Sequence, residues 1–514
     1  MQNKNSVTFN ELKQTFQKTA DVAFQHFAFQ NETVHILTCE AMIDERLLYE
    51  LVIPELKKGI ESFQNEKGDN AQQQSESQPA SVQDKAQQQK QSQGQEQSGN
   101  KQSIEDMLPL PQLQKVTDID SCISLLFSGN CLIYLTKQEL LLAVNISSRP
   151  NRTPEETNIE VAISGPRDNF IEDLATNIAL VRKRLPTKSL IVEKLQLGAR
   201  SKTNIAIMYF DDIVDKKILT EIKQQLEKVN NDVVFSGNIL MENINNGMFA
   251  FPRTDNTGRP DTVVQALSRG RLIIFVDGTA YAMILPTNFF LLLKSGEDNE
   301  TSVVYSSFER FLRLLGLFLG LLLPAFWLAL TTFHQNQIPL QLLATIVQAN
   351  TGLPFSTALE MLIMLLFFEL FREAGLRLPS VIGGTISVVG GLIIGDAAIR
   401  AGVTSPAMVV IIAISTIAGF TLVNQSLMAT ISLLRIAFVI ITAFFGLFGF
   451  FVSLHFTLMY LSHIRVFGVP YINISADLNL KSIGKTLFRL GPKTYKKRPS
   501  MLKTKDDTRS DDEK

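Results

Sequence analysis

Cysteine and histidine are scarce in this chain: 514 residues hold 3 of the former and 5 of the latter. Cys39, Cys122 and Cys131 are odd in number and lack metal-ligand spacing, which argues against a disulfide framework or a zinc site. They are expected as reduced thiols packed like small hydrophobes. The histidines stand apart at His26, His35, His334, His455 and His463, and no P-loop, G-x-S-x-G or H-E-x-x-H occurs. Nothing therefore assembles an active site, and neither catalysis nor a cofactor or metal is expected. Net charge is also nearly absent, at −1. That excludes no partner, because a charged half and an apolar half share the total. The opening "MQNKNSVTFNELKQTF" lacks a basic n-region followed by an apolar h-region, so it does not read as a secretory signal. The amino-terminal part is expected to stay in the cytosol.

What is present falls into two compositional halves. Upstream of about residue 310 the charges are spread as in a soluble protein, whereas residues 314–464 contain long uncharged runs. Within the first half, residues 71–100 hold twelve glutamines and one aliphatic side chain larger than alanine, Val82. Such a tract cannot bury enough apolar area to offset its ordering entropy, which predicts a disordered insert, about 66–102, acting as a solvated tether or as an interaction element.

Around that insert the soluble half repeats itself. "DSCISLLFSGNCLIYLTKQELLLAV" (120–144) aligns without gaps on "DTVVQALSRGRLIIFVDGTAYAMIL" (261–285). Each reads as a helix, a glycine cap at Gly129 or Gly270, and two strands joined by a tight turn. Upstream, "VHILTCEAMIDERLLYELVIPEL" (34–56) matches "IAIMYFDDIVDKKILTEIKQQLE" (205–227), read as a buried strand, a turn holding Asp44 or Asp215, and an amphipathic helix. The predicted fold class is an α/β soluble region of two related subdomains, 1–165 and 166–305, followed by an α-helical polytopic membrane domain, 306–475, and a basic then acidic tail, 476–514.

Leu314 to Phe333 is twenty residues without a charge, enough to span a hydrocarbon core of about 30 Å. Its Gly316 and Gly320 form a GxxxG that permits close helix approach. Further apolar runs cover 354–371, 381–398, 401–434 and 436–461, with a break expected near Asn424 and Gln425. Arg310 and Arg313, Arg372 and Arg377, and seven basic residues from Lys481 to Arg498 all favour the cytosol. An even number of spans satisfies them. Either four full spans plus a broken segment over 381–398, or an additional short span over 338–349, does so.

In "VIGGTISVVGGLIIGDAAIR" the small residues Gly383, Ser387, Gly391 and Gly395 recur every four positions, one stripe down a helix. Such a stripe serves tight helix packing, or lines a conduit with Val388 and Val389 as an apolar constriction. Asp396 just beyond it is costly at depth unless it meets water or a partner. The preceding "FFELFREAGLRLPS" pairs Glu369 with Arg372 and Glu373 with Arg377 by helical spacing.

Several stretches, "SGPRDNFIEDLATNIALVRKRL", "GARSKTNIAIMYFDDI", "GRPDTVVQALSRGRLIIFVDGTAYAMILP", "FFELFREAGLRLPSVIGGTISVVGGLIIGDAAIRAGVTSPAMVVI" and "VFGVPY", resemble the A-subunits of GerA-type spore germinant receptors, over about residues 34–475. The resemblance implies an endospore-forming Firmicute and a multi-pass protein of the spore inner membrane with its soluble region in the cytosol. It implies a transporter-like B-subunit that holds the nutrient, a lipoprotein C-subunit, and a homo-oligomeric ring that forms a nutrient-gated cation channel. The family's GPR motif falls on Gly165, Pro166 and Arg167, and its RPD motif on Arg259, Pro260 and Asp261. Two departures stand out: Thr257-Gly258 replaces a usual Thr-Glu, and Asp396 replaces a neutral polar residue.

The resulting expectation is a non-enzymatic, lipid-embedded receptor subunit with no nucleic-acid partner. Glu369, Arg372, Glu373, Arg377 and Asp396 are its candidate gating or coupling residues. A secondary transporter and a non-conducting scaffold are the alternatives.

Overall fold

The computed structural model describes residues 7–29, 32–63, 108–148, 165–245, 251–377, 395–472, 484, 488–491 and 497–508. The glutamine-rich insert and residues 378–394, with Gly383, Ser387, Val388, Val389 and Gly391, lie outside them.

The chain divides into two units, 1–153 with 173–195, and 154–172 with 196–514. In the first, strands β1 (Val22–Phe29), β2 (Glu32–Cys39), β3 (Gln114–Lys115), β4 (Asn130–Leu135) and β5 (Leu140–Asn145) form an antiparallel sheet ordered β1-β2-β4-β5-β3. Helix α1 (Phe9–Phe16), closed by a capping box between Thr8 and Glu11, and helix α2 (Ile119–Phe127) cover one face. Leu48, Val52, Leu56 and Ile60 cover the other. Burial on both sides explains why β4 reads as an apolar run: Cys131 and Ile133 face one core, Leu132 and Tyr134 the opposite one.

Helix α3 (Leu174–Arg184) belongs to this first unit, with Ala179 in its core. By contacts, 173–195 groups with residues 1–153. The cause is a buried ion pair: Arg182 on α3 meets Asp21 at 2.7 and 3.0 Å and stacks over the Phe127 ring. The following strand, β6 (Leu190–Leu197), runs across the division between units.

In the second unit β7 (Thr203–Phe210) is followed by α4 (Lys216–Glu227), α5 (Gly237–Asn245), β8 (Asp255–Thr257), α6 (Pro260–Ser268), β9 (Leu272–Val276) and β10 (Ala282–Leu285). Strands β7, β9, β10 and β8 are neighbours in that order. The internal repeat is structural. Val34 pairs with Leu135 and Ile205 with Val276, the residues that the two sequence alignments equate. Gly129 and Gly270 follow α2 and α6 at φ +91° and +87°, a conformation that glycine adopts without strain. Asp44 and Asp215 each accept a backbone N–H two residues on at 2.9 Å, capping a helix start.

Among the described residues the longer apolar helices that follow are α7 (Val303–Phe333), α8 (Leu340–Asn350), α9 (Thr357–Arg377), α10 (Pro406–Gly419) and α11 (Gln425–His463). Among the described residues, α7 and α11 are long and apolar enough to cross a membrane. The GxxxG of α7 does pack closely: a Cβ at Gly316 would stand 2.6 Å from the Ala418 carbonyl oxygen, and one at Gly320 3.3 Å from the Gly419 nitrogen.

Helix α11 reverses direction, which corrects the reading of 436–461 as one span. As a straight rod its 39 residues would set its ends about 57 Å apart. Yet Asn424 at its start bonds Asp255 at 2.9 Å, while Tyr460 near its end packs on Phe251 with ring centroids 6.2 Å apart. Five residues, 251–255, reach at most about 14 Å. The turn is at Gly446, with φ 61° and ψ −142°, lodged against Phe333 at the far end of α7. Two arms, 425–445 and 447–463, thus leave and return to the same short segment.

Candidate functional site

The expected charged boundary of α9 lies inside a polar node that joins four helices. Glu369 pairs with Arg372 one turn on, as its spacing predicts. Its other oxygen faces Arg435 of α11 at 3.5 Å. Arg435 is only 4% exposed. Its Nη1 donates to Ser415 Oγ of α10 at 3.2 Å, and Ser415 Oγ donates to the Gly320 carbonyl of α7 at 2.9 Å. Arg372 Nη1 reaches Ser432 Oγ at 2.6 Å. Charges so placed among apolar helices are costly unless compensated, and here one carboxylate serves two guanidinium groups.

Two turns before Glu369, Glu360 is buried and caps a neighbouring helix. It accepts from Thr404 Oγ1 at 2.7 Å, Ser405 N at 2.6 Å and Ser405 Oγ at 3.1 Å. Ser405 is the residue before α10, so the carboxylate stands at the positive end of that helix.

The other candidates are dispersed. Glu373 is exposed, and the side chain of Arg377 lies outside the described residues. Asp396 is exposed on the protein surface and pairs with Arg400 at 2.7 Å, the kind of partner that a carboxylate at depth requires. Gly395 approaches α10, where a Cβ on it would stand 3.7 Å from Val409.

The motifs of the soluble region do meet. Arg259 is fully buried and forks onto Asp261 at 3.1 and 2.9 Å, with Glu297 at 3.5 Å. The missing glutamate before this motif is thus offset by two other carboxylates. Gly165 lies against the same guanidinium, where a Cβ would stand 3.0 Å from Nη2; Pro166 and Arg167 are exposed. At the foot of α7, Arg310 and Arg313 share buried Asp298 at 2.7 Å each. These arginines, expected as a boundary anchor, bind the helix to the soluble fold.

Sequence reasoning missed Arg435, Asp298 and Ser415. Arg435 carried a signal: no other Asp, Glu, Lys or Arg occurs between Arg400 and Arg465, and a lone charge in an apolar stretch needs a partner.

The family model described as "Bacillus/Clostridium GerA spore germination protein" matches residues 10–501. Spore germination protein XA of Bacillus anthracis is 40% identical over 75% of this chain and 78% of its own length. Spore germination protein KA of Bacillus subtilis is 36% identical over 80% and 75% respectively. Among solved structures, the N-terminal domain of the A subunit of the Bacillus megaterium spore germinant receptor GerK3 matches 55% of this chain and 96% of its own, at 23% identity and a TM-score of 0.37.

Proposed function

The chain belongs to the GerA family of spore germination proteins, and from that premise we propose that it is a membrane-embedded A-subunit converting nutrient binding on a partner into cation release. In this reading the apolar helices cross the spore inner membrane an even number of times, with both sheets and the basic tail in the cytosol. Copies of the chain form a ring, a transporter-like B-subunit holds the nutrient, and a lipoprotein C-subunit completes the receptor.

The observation that carries the reading is the Glu369–Arg435 contact. A charge pair that ties four apolar helices together often adds no more stability than apolar packing of equal volume, so its presence here fits a bundle with two arrangements. Movement of α9 relative to α11 would exchange the Glu369 partners Arg372 and Arg435, and would pull directly on the chain entering 381–398. In that segment Gly383, Ser387, Gly391 and Gly395 form the proposed conduit face and Val388 and Val389 its constriction. Arg372, Glu373, Arg377 and Asp396 flank it as coupling charges.

The test is Val389→Asn in spores carrying this chain, with potassium release measured before and after germinant. Leakage without germinant is expected. Unchanged leakage with normal germination would remove the gate from this position, and purified full chain in liposomes that neither oligomerises nor passes cations would leave a scaffold role.

A further inference from the structure

A cavity of about 250 Å³ lies where β8 and α6 meet the foot of α7 and the first turn of α11. Its wall brings Arg269, Lys294 and Arg310 together; Asp255 is the one carboxylate in the lining, and Asp298, outside it, holds Arg310 at 2.7 Å. Lys294 Nζ makes no hydrogen bond or ion pair among the described residues. Thr262 Oγ1, a hydroxyl donor also in the lining, is buried without a hydrogen-bond partner, as is one acceptor, Asn256 Oδ1. Asn424, Gln425 and Ser426 add the positive end of α11.

We propose that this cavity binds a phosphate-bearing anion. Its donors come from several elements rather than from one planar fork, which suits the three-dimensional oxygen set of a phosphate better than a flat carboxylate. Lys294 Nζ and Thr262 Oγ1, donors without an acceptor among the described residues, gain one from such a ligand.

The chemistry of Lys294 gives the proposal a signature. Burial, then Arg269, Arg310 and Arg271, hold its ammonium well below the usual lysine range, with Asp298 opposing in part. An arriving anion reverses that balance, so binding draws a proton onto Nζ. Two sources fit the same chemistry: free phosphate or a phosphate ester in the cytosol, and an anionic lipid headgroup. The inference stands apart from the channel reading, since it needs only the cavity.

The experiment is titration calorimetry of inorganic phosphate into full-length protein in detergent, in two buffers of different ionisation enthalpy. Saturable binding with proton uptake is expected. Lys294→Gln should weaken binding at least about tenfold, as loss of a buried charge partner does, and abolish the uptake. Arg269→Gln should weaken it too, and exposed Lys216→Gln should not. The second arm follows melting temperature with phosphatidylglycerol or phosphatidylcholine added to the micelles. A Lys294-dependent rise with phosphatidylglycerol and no phosphate binding assigns a lipid headgroup, and the reverse assigns a soluble phosphate. No response to either, or responses unchanged in both Lys294→Gln and Arg269→Gln, overturns the proposal. If Lys294→Gln does not fold, Lys294→Arg should retain binding and lose the proton uptake.

Discussion

Glu369 and Arg435, 66 residues apart in the chain, face each other at 3.5 Å between α9 and α11. Removing Glu369 leaves Arg435 without a counter-charge among apolar side chains, whereas removing Arg435 leaves Glu369 with Arg372 alone. Arg435→Met should cost about 3 kcal/mol, the low end for breaking a buried pair because Arg372 still engages Glu369. Glu369→Gln should cost as much or more, since it strands two guanidinium groups. The double variant should be less destabilised than the sum of the singles, with a coupling of about 1–3 kcal/mol. Thermal or denaturant unfolding of the four proteins in detergent checks this. Additive losses would mean that the two side chains do not sense each other.

Reversal at Gly446 makes a topological prediction. Single cysteines at Gln425 and Ser462 should react with an impermeant thiol reagent from one side of the membrane, and a cysteine at exposed Phe445 from the opposite side. Gly446→Val should abolish the turn, because its φ of 61° excludes a β-branched side chain and a Cβ would stand 2.8 Å from Phe333. Labelling of 425 and 462 from opposite sides would restore the single straight span.

The paired fold was legible because its signals are local. A glycine after an apolar helix, an aspartate before one, and alternation along a strand can each be read within ten residues, and the two copies check each other. The node was legible only on one side. Glu369 and Arg372 are a turn apart, whereas the partner that matters most lies on another helix. The turn at Gly446 was hidden for a different reason: a lone glycine in a long apolar run is ordinary in membrane helices, and only contacts at both ends reveal the bend. Placement of α3 depended likewise on the distant meeting of Arg182 with Asp21.

That meeting predicts a large local effect. Arg182 and Asp21 are 0% and 1% exposed, and Thr19 also accepts from Arg182 at 2.9 Å. Asp21→Asn should cost about 3–5 kcal/mol by leaving a buried guanidinium without its charge. Replacing both by apolar residues, as Asp21→Leu with Arg182→Met, should recover much of that loss. Chemical denaturation of the full chain, followed by tryptophan-independent far-UV signal, reads it. A loss near zero for Asp21→Asn would show that the pair is not what holds α3 in the first unit.

Glycine caps of the two copies are not equivalent to Gly278, which makes a graded series. Gly278 has φ +82° and open space around its missing Cβ, so Gly278→Ala should cost only the left-handed strain, about 1–2 kcal/mol. At Gly129 a Cβ would in addition stand 2.6 Å from the Met42 carbonyl oxygen and 2.6 Å from Ser147 Cβ. Gly129→Ala should therefore be clearly the worse, and unfolding midpoints of the two variants compare them. Equal losses would remove the steric part of the argument.

Buried thiols give the pH dependence. Burial raises the pKa of Cys131 and of Cys39, where Asp21 adds to the effect, and lifts Cys122 to about 12. Above an unfolded value of about 8.5 the unfolded chain releases thiol protons that the folded chain retains. The folded state then binds more protons, so stability falls as pH rises past that value and continues to fall until the folded thiols ionise. Each thiol should contribute about 1.4 kcal/mol of loss per pH unit in that window. Cys131→Ala should accordingly show a shallower decline in melting temperature above pH 9 than the parent, whatever its offset at pH 7. Native alkylation at pH 8 should be negligible for all three cysteines and complete after unfolding. Rapid alkylation of the folded protein, or parallel declines for parent and Cys131→Ala, would contradict a thiol held neutral by burial.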